Sequence, residues 1–217
     1  VELAAAGHRA GDMRRVFIHD ARFPEVNTID GFDFDLSPCR KKLRARYLAL
    51  HDLTFLDKGQ NPLFIGIPGC GKTFLARALA YKACQATKRV VVVPAPKMLN
   101  ELHAAEMHGA LDRVLRRYVR ADLLVIDDFA VLAMDAAQAK LAFQVISERY
   151  DYRRSTAITT NRLFKDWTQV FPDPLNPAMF ANVWYGPPRV ETGKPENVYS
   201  LDPTGLRQLR QADGQPV

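Results

Sequence analysis

The chain has 217 residues, enough for one α/β domain with a short appendage, and a formal net charge of +6. Hydrophobic residues make up 47% and charged residues 25%, which predicts a packed core and excludes a disordered chain. No apolar run reaches the roughly 20 residues of a membrane helix, and the three cysteines are spaced as in no zinc motif. We therefore expect a cytoplasmic protein with reduced thiols and no membrane partner.

The first quarter of the chain is predicted to comprise a lead, a linker and a helix. Residues 1–38 are assigned to the lead and linker, because Pro, Gly and Asn punctuate the stretch before Pro38. From Arg40 to Gln60, Leu and Tyr recur at helical spacing, which predicts one amphipathic helix. Its basic residues are interpreted as a solvated surface: Arg40, Lys41, Lys42, Arg44 and Arg46.

Beyond Asn61, short apolar runs alternate with helical segments. The runs "NPLFIGI", "RVVVVPAP", "DLLVIDDFA" and "STAITTN" are predicted as buried strands. Helices are predicted between them, one interrupted by Gly109, one beginning at Asp135, and a short one following from Arg162 to Phe171. Each connection is long enough for a crossover, which predicts a parallel sheet in a three-layer α/β/α fold.

The stretch "GIPGCGKT" fits the phosphate-binding pattern G-x-x-x-x-G-K-[ST], and it follows a strand and opens a helix. Glycines there bring backbone N–H groups towards phosphate oxygens. Lys72 is expected to reach the β- and γ-phosphates, and Thr73 to bind Mg²⁺. The predicted nucleotide-binding residues are Gly66, Ile67, Pro68, Gly69, Cys70, Gly71, Lys72, Thr73 and Phe74.

Polar residues follow two later strands. Asp127 ends an apolar strand and suits the Mg²⁺ shell, while Asp128 suits the orientation or deprotonation of an attacking water. Asn161 ends the next strand, where an amide can bond the γ-phosphate or that water. Lys72, Asp128 and Asn161 are thus the candidate catalytic residues, and Thr73 and Asp127 the candidate metal ligands. A GTPase base-reading motif N-K-x-D is absent from the sequence.

These motifs, with "RFPEVNTIDGFDF" and "WTQVFPDP", resemble the IstB/DnaC-like AAA+ ATPases, most of all the IstB helpers of bacterial insertion sequences. The resemblance implies an AAA+ domain over residues 39–178, followed by a divergent segment, 179–217. It also implies that the protein binds ATP and Mg²⁺, forms a homo-oligomer on DNA and assists a transposase. Related proteins instead load the replicative helicase, an alternative that shares every motif.

Within this clade, the helical segment before the acidic strand contacts nucleic acid. Here it carries Arg113, Arg116, Arg117 and Arg120 on one helical face, which suits sequence-independent contacts to a DNA backbone. The alternative is a solvated surface. Two arginines of the resembled family are missing, since Ala181-Asn182 and Tyr199-Ser200 occupy their places. A scaffold that binds ATP and DNA without hydrolysis is therefore also open.

Overall fold

The computed structural model describes residues 17–21, 23, 25–129, 133–163, 166–167, 170–171 and 198–200. Strands and helices alternate along most of this length. The strands are β1 (Leu63–Ile65), β2 (Val90–Pro94), β3 (Leu123–Asp127), β4 (Ser155–Thr160) and β5 (Val198–Ser200). The α-helices are α1 (Pro38–Leu48), α2 (Thr54–Asp57), α3 (Lys72–Gln85), α4 (Ala95–Met107), α5 (Leu111–Val119) and α6 (Ala136–Asp151).

The described strands form one sheet in the order β2-β3-β4-β1-β5, and every pair is parallel. This confirms the predicted parallel sheet. All strands therefore present their carboxyl ends at the same edge, where ligands of such sheets bind. β2 forms one border of the sheet, and β4 lies between the strand that ends at Asp127 and the strand that precedes the glycine-rich loop.

Apolar side chains alternate between the two faces of the sheet. Leu63 and Ile65 of β1 pack in a core with α4, α5 and α6, whereas Phe64 packs in a second core with α1 and α3. Because successive side chains of a strand point to opposite faces, strands buried on both sides read as continuous apolar runs. The two cores confirm the three-layer α/β/α architecture.

The predicted helix from Arg40 to Gln60 is wrong in its length. Helix α1 ends at Leu48, a 3₁₀ turn covers Ala49–Asp52, and the short α2 then begins at Thr54. Leu53 adopts a left-handed conformation with φ of +63°, which interrupts the helix. Asp52 fixes the break, because its carboxylate accepts the backbone N–H of Thr54 at 2.9 Å.

Two helix boundaries agree with the sequence. Gly109, with φ of +65°, separates α4 from α5. Asp135 caps α6 by accepting the N–H of Gln138 at 2.7 Å, while the Gln138 amide oxygen accepts the N–H of Asp135 at 3.3 Å. This reciprocal pair satisfies two N–H groups that a helix leaves without intrahelical partners.

The linker predicted before Pro38 contributes to the core. A 3₁₀ turn at Ile29–Gly31 is followed by the buried Phe32 and Phe34, whose rings contact each other at a centroid distance of 4.8 Å. Phe32 also lies 5.6 Å from the ring of Phe74 in α3. This segment thus packs against the helix that follows the glycine-rich loop.

Several predictions concern parts of the chain outside the described residues. They are the position of Ala181-Asn182, most of the segment 179–217 and parts of the short helix from Arg162 to Phe171. The domain boundaries at residues 38 and 178 stay predictions. Over the part that the structure describes, no helix is both long enough and apolar enough to span a bilayer.

Candidate functional site

The glycine-rich loop connects β1 to α3 at the carboxyl edge of the sheet. Its first residue is anchored to β4, because Gly66 donates its N–H to the carbonyl of Thr160 at 3.3 Å. Gly71 has a φ of +101°, and a Cβ built there would lie 2.5 Å from the ring of Phe32. Only glycine satisfies both the backbone conformation and the close approach of the aromatic ring.

Lys72 opens α3 and is a buried residue, 6% exposed. Its ammonium group donates to the carbonyl of Ile67 at 3.0 Å and lies 3.9 Å from the sulfur of Cys70. Among the described residues, no carboxylate lies within ion-pair distance of this ammonium. A buried cation at the N-terminus of a helix, without a carboxylate partner, is suited to bind an anion.

Asp127, the last residue of β3, contacts both β4 and α3, the helix that follows the glycine-rich loop. Its Oδ1 accepts hydrogen bonds from the hydroxyls of Thr73, at 2.8 Å, and Thr159, at 2.6 Å. Its Oδ2 accepts from Arg77 at 3.2 Å. The Asp127 side chain is 7% exposed and is surrounded by three donors. Thr73 and Asp127, the two candidate metal ligands, are therefore adjacent as predicted.

Asp128, the next residue in the chain, is exposed to solvent. It adopts a φ of +55°, and its N–H donates to the hydroxyl of Thr159 at 2.9 Å. Partial burial raises the pKa of the Asp128 carboxyl, as does the neighbouring charge of Asp127, while Lys72 and Arg77 oppose the shift. A raised pKa makes the ionised carboxylate a better proton acceptor.

Asn161 follows the last residue of β4 and is exposed to solvent. Since β4 lies between β3 and β1, Asn161 is at the sheet edge that also carries Asp127 and the glycine-rich loop. The topology thus brings all three sequence motifs to one end of the molecule. Their catalytic roles stay predictions.

The residues present fit a nucleoside triphosphate with Mg²⁺. The Thr73 hydroxyl and the Asp127 carboxylate lie 2.8 Å apart, and oxygen donors of this kind are the ones that Mg²⁺ prefers. A Cβ built at Gly69 would contact nothing within 4 Å, so the loop backbone is open on that side. The cationic Lys72 lies beside this open loop and suits the phosphates.

Two residues of the site were missed in the sequence. Thr159 holds both Asp127 and the backbone of Asp128, and it precedes Asn161 by two positions in the run "TTN". Arg77 follows Thr73 by four positions on α3, so both side chains lie on the same helical face. This spacing could have identified Arg77, whereas nothing in the sequence marks the bond between Thr159 and Asp127.

The interpretation of Arg40 as solvated surface is wrong. Its guanidinium donates to the carbonyl of Cys70 at 3.0 Å and to that of Asp33 at 3.1 Å. It also lies 4.6 Å from the centroid of the Phe32 ring, within cation–π range. Arg40 thus connects the N-terminal segment and α1 to the glycine-rich loop.

The four predicted DNA-contacting arginines line one groove at the far side of the molecule from the loop. The groove has a volume of about 510 Å³. It is lined by Arg113, Arg116, Arg117 and Arg120 at α5 and its end, and by Arg89 on the opposite wall. Arg89 directly precedes β2, so it lies at the amino end of the strands, opposite the candidate nucleotide site. Contact with DNA stays a prediction.

Comparison with known sequences gives consistent matches. The family model described as "IstB-like ATP binding protein" matches residues 2–187. The chain is 34% identical over 166 residues to the insertion sequence IS232 putative ATP-binding protein of Bacillus thuringiensis subsp. berliner. It is 35% identical over 166 residues to the insertion sequence IS21 putative ATP-binding protein of Pseudomonas aeruginosa. Each alignment covers 76% of this chain but only 65% and 61% of the respective relative.

Solved structures with the same fold are more distant in sequence. The crystal structure of the DnaC helicase loader superposes with a TM-score of 0.67 at 17% identity, covering 82% of this chain and 97% of that one. The AMPPCP-bound DnaA of Aquifex aeolicus superposes with a TM-score of 0.61 at 19% identity, covering 73% and 49%. At these identities the likeness establishes the fold, an AAA+-type P-loop domain.

Proposed function

The chain belongs to the IstB-like ATP binding protein family, and from this premise we propose that it is an Mg²⁺-dependent ATPase that acts on DNA and assists the transposase of an insertion sequence. Two relatives whose names describe insertion-sequence ATP-binding proteins support this assignment. The single observation that carries nucleotide binding is the buried ammonium of Lys72, which has no carboxylate partner among the described residues and lies beside an open glycine-rich loop.

ATP would be held by the loop from Gly66 to Phe74. Backbone N–H groups of the loop and the positive end of the α3 dipole stabilise the phosphate charge, and Lys72 adds a full positive charge. Mg²⁺ would be held by Thr73 and Asp127, and when bound it supplies neutralisation of charge on the phosphates. Thr159 and Arg77 keep the Asp127 carboxylate in position for this role.

Hydrolysis requires a group that orients and activates water. Asp128 is the residue suited to it, because its carboxylate is exposed while its backbone is fixed by Thr159. Its raised pKa favours acceptance of a proton from the attacking water. Asn161, at the tip of the neighbouring strand, would donate a hydrogen bond to the γ-phosphate or to the water.

The proposed function also involves DNA, a transposase and further copies of this chain. We expect a cytoplasmic homo-oligomer that assembles on DNA and contacts a transposase. Arg113, Arg116, Arg117 and Arg120 would meet the DNA backbone without reading its sequence. Because the chain covers less than two thirds of the length of its relatives, the activity of a whole protein of this family is part of the proposal.

Two alternatives differ in what happens after ATP binds. A DnaC-like helicase loader would have the same site and a helicase as partner. A scaffold without turnover is favoured by Ala181-Asn182 and Ser200, which occupy the places of two arginines in the resembled family. An arginine that reaches a neighbouring nucleotide raises turnover about 10³-fold or more. Its loss would leave ATP binding unchanged.

Two substitutions separate binding from hydrolysis. We expect Lys72→Ala to abolish binding of a fluorescent ATP analogue, because it removes the buried cation. Asp128→Asn should keep that binding and reduce steady-state ATP turnover by about 10²-fold or more, since the amide accepts no proton from water. Both are measured with Mg²⁺, with and without duplex DNA.

The matched control is Asp57→Asn, which changes an exposed carboxylate far from the loop and should leave turnover unchanged. Turnover of the Asp128→Asn variant equal to that of the wild type would refute the role of Asp128. An absence of turnover in the wild-type protein, with ATP binding intact, would identify the scaffold instead.

A further inference from the structure

Arg40 bridges the N-terminal segment and the glycine-rich loop, and its bond to the loop ends on one particular peptide group. Its Nη2 donates to the carbonyl of Cys70 at 3.0 Å, and its Nη1 donates to the carbonyl of Asp33 at 3.1 Å. The Cys70 carbonyl belongs to the peptide that joins Cys70 to Gly71, immediately before Lys72. Within the part of the chain that the structure describes, Arg40 is the one hydrogen-bond donor to this carbonyl.

The bond from Arg40 fixes the direction of the next N–H group in the loop. A peptide group is planar, and in its trans form the C=O and the N–H point in opposite directions. The carbonyl of Cys70 faces Arg40, so the N–H of Gly71 faces away from it. This N–H has no hydrogen-bond acceptor among the described residues. It is therefore available as a donor to a ligand of the loop.

The direction of this N–H matters because loops of this kind bind phosphates through backbone donors. A peptide turned the other way would present its carbonyl oxygen, which repels a phosphate oxygen. Such a reversal rotates the backbone on either side of the peptide, and glycine restricts this rotation less than any other residue. Gly71, with φ of +101°, therefore does not by itself keep its N–H in one direction.

Arg40 is itself held in place, so it can act as a fixed support. Its guanidinium lies 4.6 Å from the centroid of the Phe32 ring, and this buried ring lies 5.6 Å from that of Phe74 on α3. Ser37 accepts the backbone N–H of Arg40 at 3.3 Å and caps α1. Both ends of the Arg40 side chain are thus ordered without a bound ligand, which reduces the entropy lost when a ligand binds.

A direct contact between Arg40 and phosphate explains this geometry less well. A guanidinium that binds an anion presents two parallel N–H groups to it. In Arg40, Nη1 and Nη2 instead donate to carbonyls of two separate segments. The contacts therefore indicate that Arg40 acts on a ligand through the peptide that it holds.

We propose that Arg40 is a positioning residue for phosphate binding, because it holds the carbonyl of Cys70 and thereby directs the N–H of Gly71 towards the phosphates. This role deepens the proposed function and rests on it, since it takes the triphosphate of ATP as the ligand of the loop. It also makes the N-terminal segment part of the nucleotide site, because Asp33 and Phe32 hold the guanidinium from the other side.

The first measurement is the affinity for inorganic tripolyphosphate, which presents phosphates without a base. Competition against a fluorescent ATP analogue measures this affinity in the full chain. Arg40→Met should weaken it about tenfold, roughly the value of one hydrogen bond to a charged acceptor. The variant should raise KM for ATP by a similar factor and leave kcat within about twofold, because the N–H binds the phosphates equally before and during the reaction.

Two further variants separate position from charge. Arg40→Lys keeps the positive charge but replaces the planar fork with a single ammonium. Its affinity for tripolyphosphate should be closer to that of Arg40→Met than to that of the wild type. The matched control is Lys42→Met, which removes the same charge from an exposed position on α1 and should keep wild-type affinity.

The opposite results would overturn the proposal. An affinity of Arg40→Lys closer to the wild type, or an equal loss in Lys42→Met, would replace positioning with a general effect of charge. A lower melting temperature and kcat of Arg40→Met, with unchanged affinity for tripolyphosphate, would leave Arg40 a structural role alone.

The peptide can also be observed directly, because Cys70-Gly71 is the only Cys-Gly pair in the sequence. Labelling with ¹³C-carbonyl cysteine and ¹⁵N-glycine therefore gives one amide signal in a carbonyl-correlated NMR spectrum. Tripolyphosphate should move its proton downfield in the wild type, as a hydrogen bond to an anion does. In Arg40→Met the signal should already be displaced without ligand, and its proton should respond less. Coincident signals in the two proteins, with and without tripolyphosphate, would overturn the proposal.

The same proteins distinguish this role from the proposed ATPase, because the affinity and the Gly71 signal are measured without turnover. A wild-type protein that binds tripolyphosphate in an Arg40-dependent way but hydrolyses no ATP would support the role of Arg40 and contradict the ATPase. ATP turnover with an unchanged KM in Arg40→Met would contradict the role of Arg40 alone. A wild-type protein that binds neither tripolyphosphate nor the ATP analogue would overturn both.

Discussion

At the scale of single residues, Asp127 is held in place by two side chains that the sequence did not predict, Thr159 and Arg77. Its two carboxylate oxygens are held by Thr73, Thr159 and Arg77, which come from the loop helix and the adjacent strand. Hydrogen bonds to a charged acceptor are about twice as strong as those between neutral groups. The carboxylate is therefore held in place without a bound ligand, which would reduce the reorganisation needed to bind the proposed Mg²⁺.

The partly buried His51 should make the stability of the protein depend on pH. Its ring contacts Tyr47 at a centroid distance of 5.1 Å, and its buried Nε2 has no hydrogen-bond partner among the described residues. Burial lowers the pKa of His51 below 6.5, and Lys82 adds to the shift while Asp30 opposes it. At a pH between the lowered pKa of the folded chain and the ordinary value of 6.5, the His51 imidazole is therefore protonated mainly in the unfolded chain.

Consequently the contribution of His51 to stability is present above about pH 6.5 and is lost as the pH falls towards the lower folded pKa. We expect the melting temperature of His51→Phe to fall less between pH 7 and pH 5 than that of the wild type. His103→Phe, at an exposed site on α4, is the control and should follow the wild type. A parallel decrease in all three proteins would contradict this reading.

At the scale of elements, caps and left-handed residues decide where helices begin and end. Asp135 and Gln138 were recognisable as a start signal because both partners of the capping pair are close in sequence. The break at Leu53 was not recognisable, since leucine rarely adopts a positive φ and the apolar periodicity continues across it. Packing of Leu50, Phe55 and Leu56 into the core under β1 outweighs the local cost.

The cap of α6 can be tested directly. Asp135→Ala removes the acceptor for the N–H of Gln138 and should lower the free energy of unfolding by about 1 kcal/mol. Urea denaturation measures the change. Asp151→Ala alters an aspartate at the opposite end of the same helix, where a negative charge opposes the dipole, and should leave stability equal or slightly higher. Similar losses in both variants would exclude the capping explanation.

At the scale of the whole molecule, Arg149 connects the end of α5, which lines the groove, to β4 of the sheet. It is fully buried on α6, and its guanidinium donates to the carbonyls of Tyr118, Val119 and Ala121 and to the hydroxyl of Thr156. It also donates to the carbonyl of Ser155. Burial lowers its pKa to about 9, so it is still cationic at neutral pH. A buried positive charge there interacts favourably with the C-terminal end of the α5 dipole.

Arg149→Met should therefore be among the most destabilising substitutions in the chain. It leaves several buried carbonyls without a donor, each of which costs about 1–3 kcal/mol, so we expect a total loss on the order of 3 kcal/mol or more. Chemical denaturation measures it. Lys140→Met, on the same helix but at the surface, removes only an exposed pair with Glu106 and should cost about 0–1 kcal/mol. A loss below 1 kcal/mol for Arg149→Met would contradict the proposed role of its hydrogen bonds.

The sequence predicted the parallel sheet, the three layers and the adjacency of Thr73 with Asp127, because strand periodicity and the loop pattern are local signals. It did not reveal contacts between distant segments, such as Arg40 on the carbonyl of Cys70 or Arg89 across from Arg120. These depend on how crossovers place one surface against another, which no short window of residues records. The hydrogen-bond partners of these side chains and the order of the strands became visible only in the folded structure.

The position of β1 within the sheet has a consequence for how the protein is made. β1 carries the glycine-rich loop, yet its two neighbours, β4 and β5, come from much later in the chain. A ribosome that synthesises from the N-terminus releases β1 long before either neighbour exists. Until then β1 exposes both of its borders and an apolar strand to solvent, a state that favours association with other chains. The strand that carries the glycine-rich loop is thus paired on both sides only after β5 has been synthesised.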